Sequence, residues 1–159
     1  MRGIAFAILC AAAALGCSSY QRTYERETQR LEAEEQARQA KERAAHAEAS
    51  RYAAVVYFAV GSAVVDDEGA RELGWFAERM QPYPQAVIEV RGYTDSTGPE
   101  ASNRELSRER AVSVARVLED LGIGRERLKI GGLSEAFPAR SNETPEGRRS
   151  NRRAEVTVR

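Results

Sequence analysis

The chain has 159 residues, enough for one folded domain with an extension. Its 24 basic and 24 acidic residues leave no net charge, so the composition favours neither nucleic acid nor an acidic substrate as a partner.

The first sixteen residues predict a signal peptide. A short positive start precedes an apolar run over residues 4–15, which is too short to cross a bilayer but suits the core of an export signal. The run ends at Ala14-Leu15-Gly16-Cys17, which resembles the cleavage box of bacterial lipoproteins. That resemblance implies that Cys17 becomes the lipidated first residue of the mature protein and that Ser18 favours transfer to the outer membrane. An ordinary signal peptide cut near Gly16 is the alternative.

The cysteine count agrees with a lipoprotein. Cys10 lies in the segment that would be removed and Cys17 would carry the lipid, so the exported domain has no cysteine and must rest on its hydrophobic core. Acyl chains on Cys17, palmitate among them, would hold the protein on the periplasmic face of the outer membrane, since each buried methylene contributes about 0.8 kcal/mol.

Residues 17–51, which begin with the lipidated cysteine, predict a charged spacer before the fold. Residues 20–50 contain no glycine and no proline and are rich in Ala, Glu, Gln and Arg, which favour a helix. Leu31 is the only large aliphatic residue there, so a coiled-coil seam is excluded. We predict a solvated, partly helical spacer, with a partner-binding helix as the alternative. Opposite charges at four-residue spacing could support the helix weakly: Glu34, Arg38 and Glu42.

Residues 52–159 predict a single α/β domain. Apolar runs and alternating patterns indicate four strands, and apolar residues at helical spacing indicate two helices. In chain order these are a strand over 55–60, a helix from residues 66–68 to Pro82, a strand over 86–93, a helix over 102–121 capped by Ser102 and Glu105, and strands over 127–132 and 153–159. The order βαβαββ predicts an α/β two-layer sandwich.

The residue types of the domain argue against an enzyme. Its mature part has neither histidine nor cysteine, so a nucleophilic triad and a His/Cys metal cluster are excluded. Gly131-Gly132 is only a lone glycine pair, not a phosphate-binding loop. The single histidine, His46, falls in the spacer and is expected to be a surface residue. No cofactor is predicted.

Two charged residues flank one turn in the stretch GYTDSTGPEASNRELSRERA, residues 92–111. Asp95 follows a predicted buried strand, and Arg110 lies at the edge of the apolar stripe of the second helix. An arginine there is partly desolvated and is expected to have a carboxylate partner. The two side chains could pair with each other, or could stand apart and share a zwitterionic ligand.

Five segments in order resemble the OmpA-like peptidoglycan-binding domain: VVYFAVGSAVV, GYTDSTG, NRELSRERA, GGLSEAFP and NETPEGRRSNRRAEV. The second and third carry the family pattern Gly-His/Tyr-Thr-Asp-x-x-Gly followed by Asn-x-x-Leu-Ser-x-x-Arg-Ala. The resemblance covers residues 55–159. It implies a four-stranded mixed sheet and non-covalent binding of the diaminopimelate side chain of the peptidoglycan stem peptide.

The resemblance also implies roles for matched residues. Asp95 would hold the ammonium and Arg110 the carboxylate of the diaminopimelate centre. Further matched positions would provide ligand contacts, the backbone of the first loop, the pocket walls and the rim: Thr94, Asn103, Gly61, Ser62, Leu106, Ser107 and Arg153, with Asn151 mainly structural. Three positions depart from the commoner family residue, and the last puts the shape of its loop in doubt: Tyr93 for histidine, Gly61 for asparagine or aspartate, and Ser134 for glycine.

These expectations combine into a lipoprotein that ties the outer membrane to the cell wall. The alternative is an interaction adaptor, in which the domain or the spacer docks onto an envelope complex such as the Tol system.

Overall fold

The computed structural model describes the backbone of residues 2–159 and the side chains of residues 20–159. The predicted signal peptide and the predicted lipidation residue, Cys17, therefore lie outside the described side chains. No helix in the described part of the chain is long and apolar enough to cross a membrane.

Helix α1 (Arg2–Ala49) includes the predicted spacer. It runs through residues 20–49 without a break, although the composition predicts only a partly helical spacer. Its ion pairs are exposed and differ from the predicted chain of charges: Arg38 pairs with Glu35 and Glu42, while Glu34 pairs with Arg30. Such pairs contribute only a few tenths of a kcal/mol each.

The last turn of α1 belongs to the folded domain, because the chain divides into two compact units after residue 44. Ala49 is fully buried in the core of the second unit. His46 is exposed, as predicted, and its ring nitrogen Nε2 is hydrogen-bonded to the carbonyl oxygen of Arg159.

The domain is a four-stranded mixed sheet with its larger helices on one face. Its elements are β1 (Ala53–Tyr57), α2 (Asp67–Met80), β2 (Ile88–Gly92), α3 (Glu100–Asp120), a short 3-10 helix (Arg125–Arg127), β3 (Leu128–Gly132), α4 (Pro145–Asn151) and β4 (Arg153–Val158). The strand order is β1-β4-β2-β3. Strand β4 runs antiparallel to both neighbours, and β2 and β3 are parallel. This confirms the predicted α/β two-layer sandwich.

The core lies between the sheet and the two longer helices. Helix α2 begins where predicted, because the carboxylate of Asp66 accepts a hydrogen bond from the Gly69 amide at 2.8 Å. Most of the apolar residues that stand at helical spacing in the two helices are buried, but Ala70 and Leu121 are exposed. The buried stripe residues are Leu73, Phe76, Ala77 and Met80 in α2, and Ala111, Val114 and Leu118 in α3.

Two predictions about the helices were wrong. Helix α3 starts at Glu100, with Pro99 as its N-cap and no side-chain cap, so Ser102 lies inside the first turn and forms no capping box. Proline at this position already has the φ of −69° that leads into a helix. Helix α4 was missed within a predicted loop, although its start has a recognisable signal: the Thr144 hydroxyl accepts from the Gly147 amide, and Pro145 occupies the first turn.

Helix α3 lies unusually close to the carboxyl ends of β2 and β3. A Cβ atom on Gly92 would stand 1.9 Å from the Ser107 carbonyl oxygen, and one on Gly132 would stand 2.6 Å from the Arg108 amide nitrogen. Only glycine fits at either position. This close approach places the first half of α3 beside the loops that follow the two strands.

Candidate functional site

Asp95 lies at the centre of a group of polar side chains beyond the carboxyl end of β2. It is 5% exposed, in spite of its charge. Its Oδ1 accepts a hydrogen bond from the Thr97 amide at 3.0 Å, and its Oδ2 accepts one from Arg152 Nη1 at 2.9 Å. The buried carboxylate is therefore bound on both oxygens.

The environment of Asp95 keeps its carboxyl ionised. Burial alone raises the pKa of this group, because it penalises the charged form. The hydrogen bonds from Arg152 and Thr97 outweigh that effect, and the pKa lies below its ordinary value. Asp95 is consequently an anion throughout the neutral range.

Arg110 is fully buried, deeper than the predicted edge of the helix stripe. Its guanidinium donates from Nε to the Ser62 carbonyl at 2.8 Å, from Nη1 to the Tyr93 carbonyl at 2.8 Å and from Nη2 to the Ala59 carbonyl at 3.2 Å. The Phe58 ring lies 5.1 Å from its central carbon. Arg110 thus joins the loop after β1 to the end of β2.

The expected carboxylate contact to Arg110 is absent among the described residues, and the predicted alternative of an Asp95–Arg110 ion pair is not formed. Backbone carbonyls satisfy the buried guanidinium, which has donors in a fixed planar fork. Burial lowers the pKa of Arg110 to about 10, with an opposing contribution from the charge of Asp95. Arg110 is still a cation at neutral pH.

Arg152 is the partner of Asp95, and sequence reasoning did not assign it to the site. Its side chain is 13% exposed, and its Nε donates to the Phe58 carbonyl at 3.1 Å. It stands in the terminal motif NRRAEV, so a signal was present, but the predicted contact fell on the neighbouring arginine. The site therefore contains two cations and one anion from these three side chains.

Arg153, predicted as a rim contact, lies apart from Asp95. Its Nε pairs with Glu155 at 2.8 Å, and its guanidinium lies 4.0 Å from the centre of the Tyr93 ring. Arg153 and Glu155 alternate along β4 with the fully buried Ala154 and Val156, so they lie on the face of the sheet opposite the helices, although Arg153 is itself only 6% exposed. Asn151, predicted to be mainly structural, accepts from the Arg140 amide through Oδ1 and donates to the Arg140 carbonyl from Nδ2.

Three further predicted residues lie on helix α3: Asn103, Leu106 and Ser107. Asn103 is buried and its Nδ2 donates to the Asp95 carbonyl at 3.2 Å and to Glu135 Oε2 at 3.0 Å, which brings in a carboxylate that the sequence did not indicate. Ser107 is fully buried and its hydroxyl accepts from the Ser134 amide at 3.0 Å. Leu106 is half-buried on the same helix.

Thr94 and Ser134 meet at the floor of this region. The Thr94 amide donates to the Ser134 carbonyl at 2.9 Å, and each residue buries a hydroxyl oxygen that has no hydrogen-bond partner among the described residues. Ser134 also has a φ of +54°, a left-handed conformation that favours glycine. The loop therefore keeps the backbone shape that glycine would adopt, in spite of the serine.

Gly61 and Ser62 lie over Arg110. Gly61 is exposed, has a φ of +65° and would have no contact with an added Cβ. Ser62 contributes its carbonyl to Arg110, and its hydroxyl accepts from the Val64 amide at 3.0 Å. The described residues contain no group of three or more His, Cys, Asp or Glu side chains that could hold a metal ion.

Comparison with known proteins identifies relatives of the domain. A probable lipoprotein of Escherichia coli, YiaD, is 42% identical over 103 residues, which are 65% of this chain and 47% of that protein. The peptidoglycan-binding protein ArfA of Mycobacterium tuberculosis is 42% identical over 82 residues, which are 52% of this chain and 25% of that protein. The chain therefore spans less than half the length of either relative.

Solved structures agree with these matches. The peptidoglycan-associated lipoprotein from Burkholderia pseudomallei superposes with a TM-score of 0.64 at 29% identity, covering 67% of this chain and 90% of that one. The cell wall anchor of the T6SS from Pseudomonas aeruginosa superposes with a TM-score of 0.58 at 30% identity, covering 67% and 79%. The model of the OmpA family matches residues 57–152, from the end of β1 to the residue before β4, and the chain belongs to that family.

Proposed function

We propose that this protein binds peptidoglycan without covalent chemistry and tethers the outer membrane to the cell wall. The ligand is the zwitterionic end of diaminopimelate, which carries an ammonium and a carboxylate on one carbon. The observation that carries the proposal is the buried, ionised Asp95 beside two arginines. The names of the relatives, which include a peptidoglycan-binding protein and a cell wall anchor, support binding to peptidoglycan.

Asp95 takes the ammonium in this proposal. A carboxylate has about four acceptor positions, and the structure uses two of them, one on each oxygen. An incoming ammonium can therefore bind Asp95 while Arg152 stays in place and holds the Asp95 carboxylate in position. Bonds between charged partners are roughly twice as strong as neutral ones.

Arg110 takes the ligand carboxylate in this proposal. The guanidinium of Arg110 has five N–H groups, of which the structure commits three. If the segment over residues 59–62 moves aside, Nε and Nη2 lose the Ser62 and Ala59 carbonyls as acceptors, and both can then donate to a carboxylate in their place. Gly61, with its positive φ and open surroundings, is the point at which that segment can turn.

The tether requires an anchor at the other end of the chain. We propose that Cys17 carries the lipid and that the helix over residues 20–49 spans part of the gap between membrane and wall. A helix of that length reaches about 45 Å at 1.5 Å per residue. The domain carries no catalytic chemistry in this proposal and acts only as a binding module.

A pull-down of the full chain with purified sacculi tests the site. We expect Asp95→Asn and Arg110→Lys to lower the bound fraction strongly, since each removes a charge or a fork needed by the ligand. Asp120→Asn and Arg108→Ala, which change exposed charges on helix α3, are the controls. Circular dichroism of each variant separates lost binding from lost folding. Equal binding by folded Asp95→Asn protein and the unmutated protein would show that the assignment of the binding site is wrong.

Titration with a stem peptide separates diaminopimelate from the rest of the wall. A peptide with diaminopimelate should bind, and the same peptide with lysine at that position should bind much more weakly, because it lacks the second carboxylate. Deleting residues 20–44, which leaves the last turn of α1 and the buried Ala49 in the domain, should leave binding to isolated sacculi unchanged. If that deletion abolished sacculus binding, the spacer rather than the domain would be the binding element.

A further inference from the structure

A groove of about 600 Å³ runs along the free edge of β1, away from the Asp95 site. Strand β1 is the first strand in the sheet order and pairs with β4 on one side only. The groove is bordered by this edge, by the first turns of α2 and by α4. Its lining residues are Ala53, Val55, Tyr57, Asp66, Glu68, Gly69, Glu72, Arg149 and Ser150.

The backbone of β1 presents unpaired hydrogen-bonding groups to this groove. The Phe58 amide donates to the Arg152 carbonyl at 2.9 Å, which extends the β1–β4 ladder by one residue pair. The N–H and C=O groups of an antiparallel strand alternate sides from one residue to the next. The backbone N–H and C=O groups of Ala54 and Val56 therefore point toward β4. Those of Val55 and Tyr57 point toward the free edge, where no described residue bonds to them.

The β1 edge also lacks the features that usually protect an edge strand from pairing. Its sequence, AAVVY, contains no charge, no proline and no glycine. The side chains of Val55 and Tyr57 are 37% and 51% exposed. The opposite edge strand, β3, has Lys129 and two glycines in five residues. The β1 edge is thus the one that is open to strand addition.

The charges of the groove select the partner. Three carboxylates line it, on Asp66, Glu68 and Glu72, against one guanidinium, on Arg149. A second copy of this chain would bring the same excess of negative charge to the same edge, which disfavours self-pairing. A basic extended segment would neutralise the excess while it bonds to the backbone.

We propose that the β1 edge binds an extended basic segment of another envelope protein by strand addition. The backbone groups of Val55 and Tyr57 form the new ladder with this segment, and Glu68 and Glu72 contact the basic side chains of the segment. None of the groove residues belongs to the Asp95 site, so the domain can hold the wall and this partner together. The proposal therefore goes beyond wall binding and does not depend on it.

Amide hydrogen exchange of the full chain tests the proposal, with a short synthetic peptide of alternating Lys and Val as the probe. Saturating peptide should slow exchange at Val55 and Tyr57 by roughly tenfold or more, as in a formed ladder. An acidic peptide of alternating Glu and Val should not. The double variant Glu68→Gln/Glu72→Gln should bind the basic peptide roughly fivefold more weakly at low salt, while Glu78→Gln, at the far end of α2, should bind it unchanged.

Val55→Pro provides an independent test of the ladder. It removes an outward-facing N–H, which edge strands tolerate, so the variant should fold, bind sacculi to the same extent as the unmutated protein and lose the basic peptide. Absence of peptide protection at these amides, equal protection by the acidic peptide, or protection that depends only on protein concentration would each overturn the proposal. The last result would assign the edge to a second copy of the chain.

Discussion

Asp95→Asn should lower the free energy of unfolding at neutral pH by roughly 2 kcal/mol, as expected for losing a hydrogen bond between charged groups. The asparagine has the same shape and can still accept from the Thr97 amide through one oxygen. Its amide nitrogen, however, would face Arg152 Nη1, which now donates to the Asp95 carboxylate at 2.9 Å. Arg152 keeps its bond to the Phe58 carbonyl and some exposure, so the cost stays below that of a fully buried unpaired charge.

The difference between the two proteins should depend on pH. The pKa of Asp95 is lower in the folded state than in the unfolded state, so the stability that its ionisation contributes is present above about pH 4, the ordinary value. It is lost as the pH falls through the folded pKa. The unmutated protein should therefore lose its advantage over Asp95→Asn as the solution is acidified.

Urea unfolding at a series of pH values, followed by circular dichroism, measures this difference. Equal m-values for the two proteins would show that the same surface is exposed in each case. Asp120→Asn, which neutralises an exposed aspartate at the end of α3, should show no comparable acid-dependent change. Equal unfolding free energies at neutral pH, or a difference that persists unchanged in acid, would refute the role given to the Asp95–Arg152 pair.

Arg110→Met should lower the free energy of unfolding by about 3 kcal/mol or more, because it leaves three carbonyls without their donor. As the control, Arg108→Ala on the exposed face of α3 should change the urea midpoint little. Ser134→Gly should raise the unfolding free energy by about 0.5–1 kcal/mol, because the backbone strain that it removes costs more than the entropy that glycine adds to the unfolded chain. An unchanged urea midpoint would show that the left-handed φ of Ser134 is not strained. Gly92→Ala should lower the thermal midpoint by roughly 10 °C or prevent folding, because its Cβ would overlap the Ser107 carbonyl. A normally stable Gly92→Ala protein would show that α3 can move away from β2.

Much of the fold follows from local patterns in the sequence. Alternation in β2 predicts that Ile88 and Val90 face the core, and both are fully buried. Helical spacing predicts that Leu73 and Leu118 are core residues, and both are also fully buried. The exposed face of α1 follows from its charge and its lack of large aliphatic residues.

Local patterns failed where a single residue or a short segment decides the structure. The apolar run over residues 55–60 predicts a buried strand, but β1 ends at Tyr57 and the chain turns at Gly61. The start of α3 depends on Pro99 rather than on the better-known capping pattern three residues later. Helix α4 has seven residues, too few for a periodic signal.

The site itself combines both kinds of information. Asp95 at the end of a buried strand and Arg110 at the edge of the buried stripe of a helix were predicted from spacing, and the family motifs strengthened both assignments. Their partners were not predictable in this way. Arg110 bonds to Ser62, 48 residues earlier, and Asp95 bonds to Arg152, 57 residues later.

The sequence by itself determined the order of the four strands and the two longer helices of the domain, most residues of the core and the position of one buried acid and one arginine, because each of these depends on neighbours a few residues away. Only the tertiary structure decided that Arg152 pairs with Asp95 and that backbone carbonyls surround Arg110. It also decided which backbone groups of β1 remain open. These depend on how the sheet orders its strands and how closely α3 approaches Gly92 and Gly132, and no periodicity along the chain records a contact between segments that are about fifty residues apart.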